Sequence, residues 1–431
     1  MSPVLPFDVI ALIIDTVGEN NDMDLLKELA LVSHSFHQIC SKHIFASVEL
    51  HDVDRHYRVA SSKKGFVKLL GNRPDVVKYV RKLTYQVDGN FQSIQLSPVP
   101  GYPDFNADHL LLSSIIPNLL RTISHLNCLT ITASHRSQFY WSTLDSSLTS
   151  AFLHLMRLPT INHIDLSYIR NFPLSTFTPS VHLRRLDILC LSRFESFDRP
   201  EGSEEEGSPE IVIQSMMMPR LREFHTKWSS LLTTTLLHAK KQDGQPAFNF
   251  MDLRRLSTCL EDERNLRYLL ENAKFLEKLH LSVGHSQSLV RLYDILSPST
   301  RTLKVLDITV SLYDFIIPLP LAGLCEGLEA MAGHNILEAL SFEVQVNEQE
   351  SEDSVGSDFQ KVEEILVKPG WSALRQVSFK VTISCRGGSA KLYKALVQSL
   401  PDKYLSHISK LESVAFNFSV DIHKCIVESP D

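Results

Sequence analysis

Apolar residues recur at helical spacing over the first 45 residues, and in short alternating runs from residue 48 onward. In the opening stretch Val9, Ile10, Ile13, Ile14 and Val17 follow Pro6. Proline is tolerated in a first helical turn, where the N–H it lacks would have no intrahelical partner. Gly18-Glu19-Asn20-Asn21 breaks this helix. Asp22 or Asp24 then caps a second helix carrying Leu25, Leu26 and Leu29, and Ser33 caps a third carrying Phe36, Ile39, Cys40 and Ile44. Three helices this short make a very small core, so the unit is expected to lean on the next domain or on a partner.

Beyond residue 48 a hexapeptide of the form L-x-x-L-x-L, with apolar substitutes, begins at Val80, Leu126, Ile161, Leu183, Leu221, Leu276, Leu303, Leu337, Leu374 and Leu411, and in weaker form at Leu253. Its geometry is a buried turn residue followed by a strand whose alternate side chains point inward. Helical stretches lie between, as at Phe66 to Leu70, Leu110 to Leu120, Ser147 to Met156, Leu289 to Leu296 and Leu392 to Leu400. One such unit cannot bury its own apolar face, whereas a stack buries a continuous core. The expected fold is therefore α/β: a three-helix unit over 1–47, then an irregular leucine-rich-repeat-like solenoid with parallel strands over 48–431. Steps between units run from 22 to 46 residues, mostly beyond the roughly 20–29 of a regular repeat. The asparagine or cysteine that usually follows the third apolar position is mostly missing, which predicts a degenerate array.

The chain has 431 residues, 43% hydrophobic and 22% charged, with few Gly and Pro, which fits a packed protein and excludes low-complexity scaffolds. Its net charge of −7 weighs against a protein devoted to nucleic acid. Two acidic stretches, 195–210 and 347–358, account for that balance and read as solvated loops, with Ser203 and Ser208 as phosphorylation candidates. The basic span 62–82 reads as a solvated helix and rim, because few aromatics interleave its Lys and Arg.

The seven cysteines (40, 128, 190, 259, 325, 385 and 425) are scattered and never in C-x-x-C spacing, which points to a reducing compartment, cytoplasm or nucleus. No secretory signal or membrane-spanning run is expected. His34, His37, Cys40 and His43 recur every three residues, but on a helix they spiral around about half the cylinder and cannot meet at one ion. No phosphate loop, nucleophile elbow or H-E-x-x-H is present, and Gly387-Gly388 reads as a turn. His163 and Asp165 read as ordinary polar strand positions. No catalytic group, metal or cofactor is assigned.

The opening segment resembles the F-box. The resemblance rests on Leu5-Pro6-Phe7-Asp8-Val9-Ile10, then Asp24-Leu25-Leu26, then Leu31-Val32-Ser33-His34-Ser35-Phe36, then Ile44-Phe45. It covers about 45 residues, and the stretch from Phe66 to Thr84 is similar to the helix and first strand that often follow an F-box. The resemblance implies docking on a Skp-type adaptor, and through it a cullin ubiquitin ligase, while the repeat domain presents a protein substrate and the chain performs no chemistry. Leu5, Pro6, Val9, Ile10, Ile13, Leu25, Leu26, Leu29, Val32, Phe36, Ile39, Ile44 and Phe45 would then be divided between the unit's core and the adaptor interface, with Leu5 and Pro6 foremost at the interface. The alternative is a repeat scaffold that the helical unit merely caps.

Overall fold

The computed structural model describes residues 6–51, 62–87, 114–133, 139–173, 177, 180–189, 212–213, 219–227, 229–241, 243–260, 262–284, 289, 291–311, 321, 323–347, 352–385 and 397–424. It is a mixed α/β protein containing twelve strands of parallel sheet. The chain divides into two compact units, 1–219 with 238–248, and 220–237 with 249–431.

The first unit opens with α1 (Phe7–Glu19), α2 (Met23–Ala30) and α3 (His34–Ile44). Five parallel strands follow: β1 (Ser47–Leu50), β2 (Lys82–Val87), β3 (Cys128–Ala133), β4 (His163–Ser167) and β5 (Arg185–Leu189). The helices Ser62–Asn72 and Ser146–Met156 stand between strands, close to their expected positions. The second unit carries seven strands: β6 (Glu223–Lys227), β7 (Arg255–Cys259), β8 (Lys278–Val283), β9 (Val305–Ser311), β10 (Ala339–Asn347), β11 (Gln376–Cys385) and β12 (Ala415–Lys424). Within each unit neighbouring strands are consecutive in the chain and parallel.

The hexapeptide explains the packing. From Val80 to Leu374 its first and fourth residues are buried in every unit, including the weak one at Leu253, where Leu253 and Leu256 are both enclosed. The sixth position is filled by Tyr85, Ile131, Leu166, Ile188, Leu281, Ile308, Phe342 and Phe379, and by threonine in two units, Thr226 and Thr258. Thr226 satisfies its hydroxyl against that of Thr233, 2.8 Å away, and Thr233 in turn donates to the Ser229 carbonyl.

Register is set by the backbone. The carbonyl of the second hexapeptide residue accepts two successive N–H groups from the next unit: Ala46 from Arg81 and Lys82, Arg81 from Asn127 and Cys128, Asn127 from Asn162 and His163, Asn162 from Arg184 and Arg185. The second unit repeats the arrangement at Arg222, Arg254, Glu277, Lys304 and Glu338. Because the main chain supplies these bonds, the side chain at that position is free to vary among Arg, Asn, Glu and Lys.

Several expectations are corrected. The last strand starts at Ala415, paired with Gln376, so its buried-side residues are Phe416 and Phe418, two residues later than a hexapeptide beginning at Leu411 would place them. A further strand precedes the first expected one: Ser47–Leu50 pairs in register with Lys82–Tyr85, so Phe45-Ala-Ser-Val-Glu-Leu50 aligns with the hexapeptide although it was not among those expected. The stretch 347–358 is not a loop throughout, since a helix runs over Glu352–Leu366. Phe359, Val362, Ile365 and Leu366 supply its buried face. Asp358 is buried and accepts the Leu321 N–H at 3.0 Å. Leu292–Leu296 is shorter than the helix expected from Leu289. The stretch 195–210, Gly387-Gly388 and most of the helix expected over Leu392–Leu400 lie outside the described residues.

Candidate functional site

The three-helix unit holds the candidate site. Each helix starts where the local chemistry directs it. Pro6 occupies the N-cap of α1, its carbonyl accepting the N–H groups of Val9 and Ile10. Asp22, not Asp24, caps α2 by accepting the Leu25 N–H at 3.1 Å. Ser33 caps α3 through the Phe36 N–H at 3.2 Å. Each such side-chain cap is worth about 1 kcal/mol.

Ile14, Leu26 and Cys40, one from each helix, form the centre of the unit. Ile10, Val17, Met23, Leu29, Ala30, Phe36, Ile39 and Ile44 pack around them, half-buried. Leu26, counted with the interface candidates, is 0% exposed and belongs to this core. Ile10, Leu29, Phe36, Ile39 and Ile44 also turn inward toward it. Phe45 is half-buried at the entry to β1.

A second apolar set faces outward. Pro6, Val9, Ile13, Leu25 and Val32 are exposed, and Leu5 lies outside the described residues. The outward set also contains Phe7 (55% exposed), Leu12 (67%) and Leu31 (86%), none of them among the thirteen positions divided between core and interface. Helical geometry explains the division of α1. At about 100° per residue, Ile10, Ile14 and Val17 form one stripe, and Val9, Leu12 and Ile13 form another roughly 110° away. Leu12 was legible from that angle alone, since it lies about 60° from Val9 on the side away from the Ile10 stripe. Leu31 and Val32 lie in the turn between α2 and α3, just before the Ser33 cap. Full burial of one such side chain contributes about 1.5–3 kcal/mol.

On the other flank of α1 the chemistry is polar. Asp15 Oδ1 accepts hydrogen bonds from Lys42 Nζ at 2.6 Å and His43 Nε2 at 2.7 Å, locking α1 to α3. These two contacts, that from Lys42 first, hold the Asp15 carboxyl below the usual carboxylate range. Asp15, Lys42 and His43 line a cleft of about 330 Å³ together with Glu19, Tyr79 and Arg81. The remaining ligand-type side chains of α3 diverge: His34 meets Gln38, His37 meets Arg73, and Cys40 is sealed in the core. Among the described residues no group of three His, Cys, Asp or Glu side chains is placed to hold a metal ion.

The basic span is also partly structural. Lys63 is buried with its ammonium 4.3 Å from the centre of the Tyr85 ring, and Arg73 makes a paired contact with Asp75.

No protein-family model matches the chain. Comparison with curated proteins gives no match either. Among the described residues no helix is long and apolar enough to cross a membrane.

Proposed function

We propose that this chain is the substrate-recognition subunit of a Skp–cullin–F-box type ubiquitin ligase. In this reading the three helices are an F-box that docks a Skp-type adaptor, and the parallel-strand repeats are a leucine-rich-repeat-like solenoid that binds a protein target. The supporting observation is the second apolar stripe of α1 together with Leu25, Leu31 and Val32. These side chains stay exposed although the unit already has a core of its own. A partner helix laid across them removes that surface from water. The unit contributes adhesion, and the ligase chemistry belongs to the other subunits.

The rival reading, a repeat scaffold capped by the helices, draws on the continuity at Ala46, whose carbonyl ties the end of α3 to β2. Repeat arrays need such caps. Co-expression with a Skp-type adaptor, tagged on one partner, separates the two. Wild-type chain is expected to co-purify with the adaptor. Leu12→Glu with Val32→Glu is expected to abolish co-purification and leave the circular dichroism spectrum unchanged, because both side chains point to solvent. If wild-type chain does not co-purify, the ligase reading fails and the cap remains.

A further inference from the structure

In the first unit, parallel pairing brings together three side chains far apart in the sequence. Cys128 on β3 pairs in register with His163 on β4, and His163 pairs with Arg185 on β5. Cys128 Sγ stands 3.1 Å from His163 Nδ1, and His163 Nε2 stands 2.9 Å from Asp187 Oδ2. Asp187 is fixed in turn by Arg185, whose Nη2 donates to it at 2.8 Å. A nucleophile, an imidazole and a carboxylate that orients the imidazole are thus aligned across three strands. Lys82 on β2 occupies the same cross-strand row on the other side of Cys128. Cys128 is half-buried and lies on the partly exposed side of its strand, alternating with the buried Leu129 and Ile131.

We propose that Cys128 is a modification site for soft carbon electrophiles of the α,β-unsaturated carbonyl class, activated by His163 and oriented through Asp187. In the reaction the sulfur attacks the β-carbon as a thiolate, forming an S–C bond. The C=C π bond breaks and its electron pair passes to the α-carbon. That carbon takes up one proton from solvent, replacing the one the thiol released to it, so the adduct gains no net atom besides the electrophile.

The electrostatics favour this chemistry. Burial works against a charged His163, but hydrogen bonds to Asp187 and Cys128 outweigh it and raise its pKa to about 9. An imidazolium beside sulfur stabilises negative charge on it. The charged groups facing the pair are Lys82 on β2, Asp165 on β4, and Arg185 and Asp187 on β5. Burial and the neighbouring Asp187 raise the Asp165 carboxyl, which lessens the negative charge opposing the thiolate.

The chain carries its own references. Cys325, half-buried in the second unit, has its thiol pushed up to about 11 by burial. Cys40 is enclosed in the helical core and reports folding. Labelling of the full chain with N-ethylmaleimide, followed by site-resolved mass spectrometry at pH 7, is expected to modify Cys128 at least about tenfold faster than Cys325. His163→Gln is expected to slow Cys128 by about tenfold and Asp187→Asn by less, with Cys325 unchanged and Cys40 still protected. Equal wild-type rates at Cys128 and Cys325 would overturn the proposal whether or not the variants fold. An unslowed Cys128 in folded His163→Gln would overturn the role of the imidazole.

Discussion

His43 on the third helix reaches back to Asp15 on the first, Nε2 to Oδ1 at 2.7 Å, and lies directly over Gly18 one turn further along. Contact between the two helices thus depends on a carboxylate to hold the ring and on a missing side chain to make room for it.

The carboxylate has a pH signature. Because the Asp15 carboxyl is held below its unfolded value, its contribution is present above about pH 4 and is lost as pH falls through the acid range. Thermal unfolding between pH 2 and pH 7 is expected to show Asp15→Asn less stable than wild type at neutral pH, with the gap closing in acid. About 1 kcal/mol is expected for so exposed a pair.

The missing side chain gives a second test. A Cβ at Gly18 would collide with the His43 ring. Overpacking costs about 1–3 kcal/mol, against a gain of about 1 kcal/mol from replacing glycine inside a helix. Gly18→Ala is therefore expected to destabilise wild type but to stabilise a His43→Ala background. Denaturant melts of the four proteins in this cycle measure the reversal.

His163 predicts the opposite dependence on pH. Its folded pKa of about 9 lies above the unfolded value near 6.5. Its contribution is complete below pH 6.5 and is lost as pH rises through 9, on the order of 3 kcal/mol at most. Wild type is expected to lose stability between pH 6.5 and 10, and Asp187→Asn is expected to flatten that slope.

Glu363 holds the end of the second unit together. Its buried carboxylate accepts the backbone N–H groups of His407 and Ile408 at 2.7 and 3.0 Å and faces His407 Nδ1 at 2.9 Å. Glu363→Ala leaves two peptide donors without their acceptor and is expected to cost about 2–4 kcal/mol. Glu363→Gln, which keeps one acceptor oxygen, is expected to cost less. Equilibrium unfolding followed by tryptophan fluorescence would check this, since Trp371 is buried in the same unit.

Much of this architecture was legible because burial enforces it. The leucine-type positions had to alternate, and the caps at Asp22 and Ser33 had to sit where helices begin. Three features escaped for physical reasons. Thr258 fills an inward position in the Leu253 unit, so the apolar pattern weakened there although the register did not. Acidic residues near Asp358 resembled a solvated loop, because the helix they begin gets its apolar face from residues further on. The cluster of Cys128, His163 and Asp187 was hidden by spacings of 35 and 24 residues, which become neighbours only when strands stack in register. Within the helical unit, sequence spacing located the apolar residues but not the division between those facing in and those facing out.

The paired N–H groups converging on Ala46, Arg81, Asn127 and their successors make alignment a property of the main chain alone. Side chains next to those carbonyls are released from any duty to hold one strand beside another. Residues on the polar face of the sheet can therefore be exchanged letter by letter while the frame beneath stays fixed.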